Sequence, residues 1–322
     1  MKERSSLIDS AFLPVIVAPM FLVSGPALVT ACCKAGVMAS FPMPNARPIK
    51  ELNQWFEDIT YSLNTYKKEN PDHTVAPFVP NMIVHSSYDR FEAELELIRK
   101  YQPPIVITSL GNPGRVVPTV HAYGGQVYSD VNSIKWAHKA IDAGVDGLIL
   151  VAAGAGGHTG QMASFPFIEA VRKFFEGTLI LAGGINSGSA ILAAQALGAD
   201  LAYMGTRFIA ATESLAAQSY KQMLVDGKFD DLVLTPAVTG IPAHFIRQSL
   251  EKAGVNITET GKVNFDMQND ESGARAWKDI WSAGHGIENI HDIRSAKDII
   301  LSLHTEYVAA VQRITRKTPG IA

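Results

Sequence analysis

Eight strand-length apolar runs, spaced by amphipathic segments, fill the first two-thirds of this 322-residue chain. They are "PVIVAP" (14–19), "VMASF" (37–41), "VAPFV" (75–79), "IVITSL" (105–110), "QVYSDV" (126–131), "GLILVA" (147–152), "LILAGG" (179–184) and "LAYMG" (201–205). Most are apolar without alternation, as parallel strands covered on both faces must be. The segments between them carry helix punctuation. Ser24 stands as an N-cap, Gly36, Gly144 and Gly198 stand just past helix ends, and "SYDRFEAELELIRKY" puts acid early and base late. A weak echo, "AGVDGLILV" (143–151) against "LGADLAYMG" (197–205), marks a repeated βα unit. Eight such units predict an α/β fold closed as a (β/α)8 TIM barrel, with a doubly wound open sheet as the rival.

The rhythm stops after Phe208. Residues 212–295 read as mainly helical with no clear strand, and "AKDIILSLHTEYVAAVQRIT" (296–315) reads as a long amphipathic helix. The expected organisation is a barrel over 1–211, a helical insertion covering the substrate over 212–295, and a C-terminal helix over 296–322 returning to the barrel.

Composition removes several function classes. The chain is 47% hydrophobic and 18% charged, with net charge −3 and mean hydropathy +0.09, so no nucleic-acid footprint is expected. Its apolar runs fall far short of the ~20 residues that span a bilayer. The start, "MKERSSLIDSAFLPVIVAPM", has no sustained apolar core of a signal peptide. Cys32 and Cys33 are adjacent, unsuited to a structural disulfide, and fit a packing role in a reducing cytoplasm. The expected partners are therefore small molecules.

In a parallel barrel the chemistry sits in the loops at the C-terminal ends of the strands. Those places here hold Ala18-Pro19-Met20, Asn81, "GAGGHTG" (154–160), "AGGINSG" (182–188) and "MGTRF" (204–208). Gly183 and Gly184, with Met204, Gly205 and Thr206, follow the last two strands, whose loops often hold phosphate. Glycine lets backbone N–H groups approach phosphate oxygens, and Thr206 adds a hydroxyl. "GAGGHTG" is not a dinucleotide fingerprint, because Thr159 stands where a third glycine is needed. The expected ligand is a phosphate ester of mononucleotide size. A flavin fits, its ring near Ala18–Met20 and Asn81 at the ring edge. Gly156 and Gly157 leave room beside it, and His158 stands over it as a candidate base. The other histidines form no metal-ligating spacing with each other or with cysteine, so no metal site is expected. No G-x-S-x-G nucleophile turn occurs where a strand-turn-helix would require one.

These motifs, in this order and spacing, resemble the nitronate monooxygenase (2-nitropropane dioxygenase-like) family from about Pro14 to Glu213. The resemblance implies FMN as cofactor. Met20, Asn81 and Gly156 would lie against the flavin, Gly183, Gly184, Gly205 and Thr206 would hold its phosphate, and His158 would be the catalytic base. It implies oxidation of alkyl nitronates by dioxygen to a carbonyl compound and nitrite. The alternative on the same scaffold is NAD(P)H-dependent reduction of quinones or enoyl thioesters; a non-catalytic flavin-binding barrel is a third reading. A homodimer is the one macromolecular assembly left open. The chain departs from the family in "VAPM", where many members carry a glutamine-glycine-glycine-methionine run, and at Val151, near which many carry glutamine.

Overall fold

The computed structural model describes residues 11–255 and 277–317. The expectations for residues 1–10, 256–276 and 318–322, including the start of "ESGARAWKDIWSAGHG", lie outside the described residues.

The apolar runs are strands. β1 (Val15–Val17), β2 (Met38–Pro42), β3 (Phe78–Ile83), β4 (Ile105–Ser109), β5 (Gln126–Val131), β6 (Gly147–Val151), β8 (Thr178–Ala182) and β9 (Leu201–Met204) form a closed, all-parallel barrel. Closure is made by β1 on β9, with Val15 opposite Ala202 and Val17 opposite Met204. β7 (Gly157–His158) lies outside the barrel. Alternation explains the doubly apolar strands. Ile16, Met38, Val79, Ile105, Tyr128, Ile149, Ile180 and Leu201 fill the interior, while Val15, Val106, Val127, Leu148 and Leu179 pack outward beneath helices.

Those helices are α1 (Pro26–Lys34), α2 (Ile49–Glu69), α3 (Phe91–Tyr101), α4 (Val117–Ala122), α5 (Ile134–Asp142), α6 (Ser164–Arg172) and α7 (Gly188–Ala196). Gly36, Gly144 and Gly198 take φ of +80°, +89° and +104° past the ends of α1, α5 and α7, as their positions predicted. Ser24 is not the N-cap of α1; Gly25 is, and the Ser24 hydroxyl instead accepts from the Met20 amide at 3.0 Å. The sequence echo has a structural cause. Asp146 accepts from the Val127 amide (2.9 Å) and Asp200 from the Leu179 amide (2.8 Å), each tying down a neighbouring strand.

After β9 the chain forms α8 (Thr206–Ile209), α9 (Gln218–Asp226), β10 (Leu232–Thr235), β11 (Ala243–Ile246) and α10 (Arg247–Lys252). The expectation of no strand in this region does not hold. β10, β11 and β7 make a three-stranded antiparallel sheet. "AHFI" (243–246) falls within the stretch expected to be helical, since a short apolar run carries no period that separates strand from helix. Pairing on both sides makes it a strand. α11 (Ala296–Lys317) then packs against α7 and α1, filling the place of the eighth barrel helix.

Candidate active site

The strand ends and this cover enclose a cavity of about 290 Å³. Its lining brings together Ala18, Pro19, Met20, Asn81, Gly156, Gly157, His158, Gly183, Gly184, Gly205 and Thr206. Met204 does not join them. Tyr203 takes the inward position on β9, so Met204 is buried on the outer face beneath the helices. His85 is exposed and bonded to Ser87, outside the lining.

Each wall is fixed by a local device. Asn45 pins the loop after β1: its amide donates to the carbonyls of Met20 (3.0 Å) and Ser24 (2.8 Å), and its oxygen accepts from the Leu22 amide (2.9 Å). Leu22, Leu110 and Trp277 have φ of 59°, 58° and 62°, a left-handed backbone that costs a bulky L-residue roughly 1–2 kcal/mol. All three sit in loops around the cavity, where such strain concentrates in functional sites.

The heptad is clamped from above. A Cβ on Gly156 would meet the Gly284 nitrogen at 2.8 Å and the Ala283 carbonyl carbon at 2.9 Å, and one on Gly154 would meet the His285 ring at 2.9 Å. The Gly284 amide donates to Thr206 Oγ1 (3.0 Å) and the His285 amide to the Gly154 carbonyl (2.9 Å). His244, on β11, lies 3.0 Å from the Ala155 carbonyl through Nδ1 and 3.2 Å from His285 through Nε2. Two histidines that looked incidental in sequence therefore brace the loop. No local signal could have found them, because their partners lie 89 and 41 residues away.

β7 holds His158 by backbone pairing with Ala243. Its Nε2 lies 3.1 Å from Thr239 Oγ1, whose own proton goes to the Ile241 carbonyl at 3.0 Å. Thr239 must then accept, which puts the ring proton on Nε2 and the basic lone pair on Nδ1. Trp277 meets the ring edge-on at 5.3 Å. Burial holds the imidazole below its ordinary pKa, so it is neutral and basic at pH 7.

The floor is polar, which sequence reasoning missed. Asp130 follows Tyr128 by two residues, and that period was the available signal that it faces the barrel interior. Asp130 and Tyr203 line the cavity; among the described residues Asp130 Oδ1 and the Tyr203 hydroxyl have no hydrogen-bond partner. Desolvation pushes the Asp130 carboxyl up to about 7. Among the described residues no lysine or arginine lines the cavity. Arg207, beside Thr206, turns away to Asp292 at 2.8 Å.

These residues suit a flavin mononucleotide. Gly183 (φ +121°) and Gly184 (φ +72°) adopt conformations closed to most side chains. A Cβ on Gly184 would find nothing nearer than His285 Cβ at 3.9 Å, so its backbone faces open space. Phosphate here would rest on backbone amides and Thr206, and a ring would lie over the unpaired floor groups. Among the described residues no group of histidine, cysteine and carboxylate side chains could hold a metal ion.

Comparison with known proteins bears on the family and the fold. A family model described as nitronate monooxygenase matches residues 4–306. A nitronate monooxygenase of Paraburkholderia phytofirmans is 27% identical, the alignment covering 76% of each chain. The solved structure of a nitroalkane oxidase from Streptomyces ansochromogenes superposes with a TM-score of 0.77 at 22% identity, over 96% of this chain and 100% of the other. FabK from Thermotoga maritima does so with a TM-score of 0.76 at 23% identity, over 98% of both chains.

Proposed function

The chain belongs to the nitronate monooxygenase family, and on that premise we propose that it uses FMN to oxidise alkyl nitronates with dioxygen, with His158 as base. It is an oxidoreductase of that family acting on small molecules. The observation that carries the finer reading is His158. Its backbone is fixed by β11, its Nε2 proton is committed to Thr239, and its ring borders the cavity.

Bound in the cavity, FMN would supply the passage of electrons from nitronate to dioxygen. The chain's own residues do the rest. Gly183, Gly184, Gly205 and Thr206 hold the phosphate, and Ala18, Pro19, Met20, Asn81, Gly156 and Gly157 border the ring. His158 removes the α-proton of a neutral nitroalkane at Nδ1 and delivers the nitronate; a substrate supplied as nitronate bypasses that step. Phe21, Ile83, Leu110, Ile185 and Trp277 give the site apolar walls. Products would be a carbonyl compound and nitrite. Buried, reduced Cys32 and Cys33, the latter thiol pushed up to about 12 by burial, suit a reducing cytoplasm. Among the described residues no helix is long and apolar enough to cross a membrane.

The test is anaerobic. A nitronate should bleach the bound flavin without NAD(P)H, and His158→Ala should lose about 100-fold or more on neutral nitroalkanes while keeping most activity on preformed nitronates. Equal losses on both substrates would remove the base role. Bleaching by NADH or NADPH, with none by nitronate, would turn the assignment to a quinone or enoyl-thioester reductase.

A further inference from the structure

Three buried polar atoms in the upper barrel interior find no hydrogen-bond partner among the described residues: Ser40 Oγ, Asp130 Oδ1 and the Tyr203 hydroxyl. Folded chains rarely leave such atoms unpaired, so each needs a cause. Two of them share one. Asp130 comes from β5 and Tyr203 from β9, with β6 and β8 between, yet both border the same cavity. They lie close enough for the carboxylate's charge to act on the phenol. Asn81, by contrast, is already engaged, its amide donating to Ser109 at 3.3 Å.

Resting on the flavin reading above, we propose that Asp130 and Tyr203 are the floor contacts for the polar edge of the flavin ring, both donating to its nitrogen and carbonyl acceptors. Donation by Asp130 requires its carboxylic acid form, and the surroundings favour that form. Among the described residues the other titratable groups lining the cavity are His158 on β7 and Tyr220 on α9. Tyr128, its phenol pushed up to about 12, stands one layer lower on Asp130's own strand. His158 is held neutral by burial, so none of these supplies a positive charge at neutral pH. Among the described residues nothing would compensate an ionised Asp130, and burial moves its titration to about 7. A donor that titrates near neutrality makes flavin affinity fall as pH rises.

The experiment measures flavin dissociation constants by fluorescence quenching between pH 6 and 8.5, for the native protein, Asp130→Asn and Tyr203→Phe. Riboflavin is run beside FMN, because it lacks the phosphate and its separate ionisation. Native affinity should fall about tenfold across that range for both ligands, beyond any phosphate effect. The absorption of the bound flavin should shift with the same titration. Asp130→Asn should flatten both dependences, and Tyr203→Phe should weaken binding about three- to tenfold at every pH. Retention of the native pH dependence by a folded Asp130→Asn protein overturns the proposal while leaving the flavin site intact. If Asp130→Asn does not fold, unchanged affinity in Tyr203→Phe with no absorption titration in the native protein overturns it equally. A native protein that binds neither flavin ends the FMN assignment as well.

Discussion

His158 draws its chemistry from surroundings that sequence places far away. β11 fixes its backbone, Thr239 accepts the hydrogen bond from Nε2–H, and burial keeps the ring neutral. The pH dependence follows with a definite sign. Burial lowers the pKa in the folded protein, so the base is lost only when pH falls below the ordinary imidazole range near ~6.5. The acid limb of kcat/KM for a neutral nitroalkane should therefore lie below pH ~6.5 and be absent for a preformed nitronate. A limb above 7 would contradict a desolvated imidazole. The same direction governs stability. A folded pKa below the unfolded one contributes stability that is present above ~6.5 and lost as pH falls through that region. His158 was legible in sequence because a histidine behind two glycines at a strand end is unusual. Asp130 was not singled out, because one aspartate inside "QVYSDV" looks like an ordinary strand residue until its partners across the barrel are known.

Among the loops, the glycines divide into two kinds that sequence cannot separate. Gly156 packs the heptad against the 283–284 backbone, whereas Gly205 has only ordinary contacts around it, Met20 Sδ at 3.6 Å and Ala18 Cβ at 3.7 Å. Gly156→Ala should cost about 1–3 kcal/mol of unfolding free energy, seen in urea melts, because backbone rather than a flexible side chain must move. Gly205→Ala should leave stability within about 0.5 kcal/mol and weaken FMN binding instead, since its methyl group adds to the cavity lining. The reverse pattern would mean that the heptad does not dock as described. The glycines of "GAGGHTG" are expected to make room for a ligand, and Gly154, Gly156 and Gly157 do border the cavity. Gly154 and Gly156 also make room for the protein's own covering segment.

At the scale of the molecule, the barrel and its cover share the cavity. Val23, Ile209, Tyr220, Leu224, Ile246, Ala283 and Ile287 form one cluster that joins the loop after β1 to α8, α9, β11 and the segment carrying His285. A ligand in the cavity thus touches both parts and should stabilise them together. FMN at 100 times its dissociation constant should add about 2.7 kcal/mol. For a chain of 322 residues this raises Tm by about 3–6 °C in one transition. Separate transitions, with only one moved by FMN, would show the cover melting independently of the barrel.

The sequence alone determined the barrel, its strand ends and the glycine loops that border the cavity. Those features rest on local regularities: apolar period, helix-ending glycines, and chain order along a fold whose functional loops all lie at one end. It also determined the family, whose motifs fall in consecutive strand-end loops. Tertiary structure alone decided the three-stranded cover sheet, the bracing by His244 and His285, the protonation pattern of His158, and the unpaired floor of Asp130 and Tyr203. Each depends on contacts between residues far apart in the chain. Whether an apolar tetrapeptide is strand or helix, or a polar side chain is solvated or orphaned, is set by what packs against it.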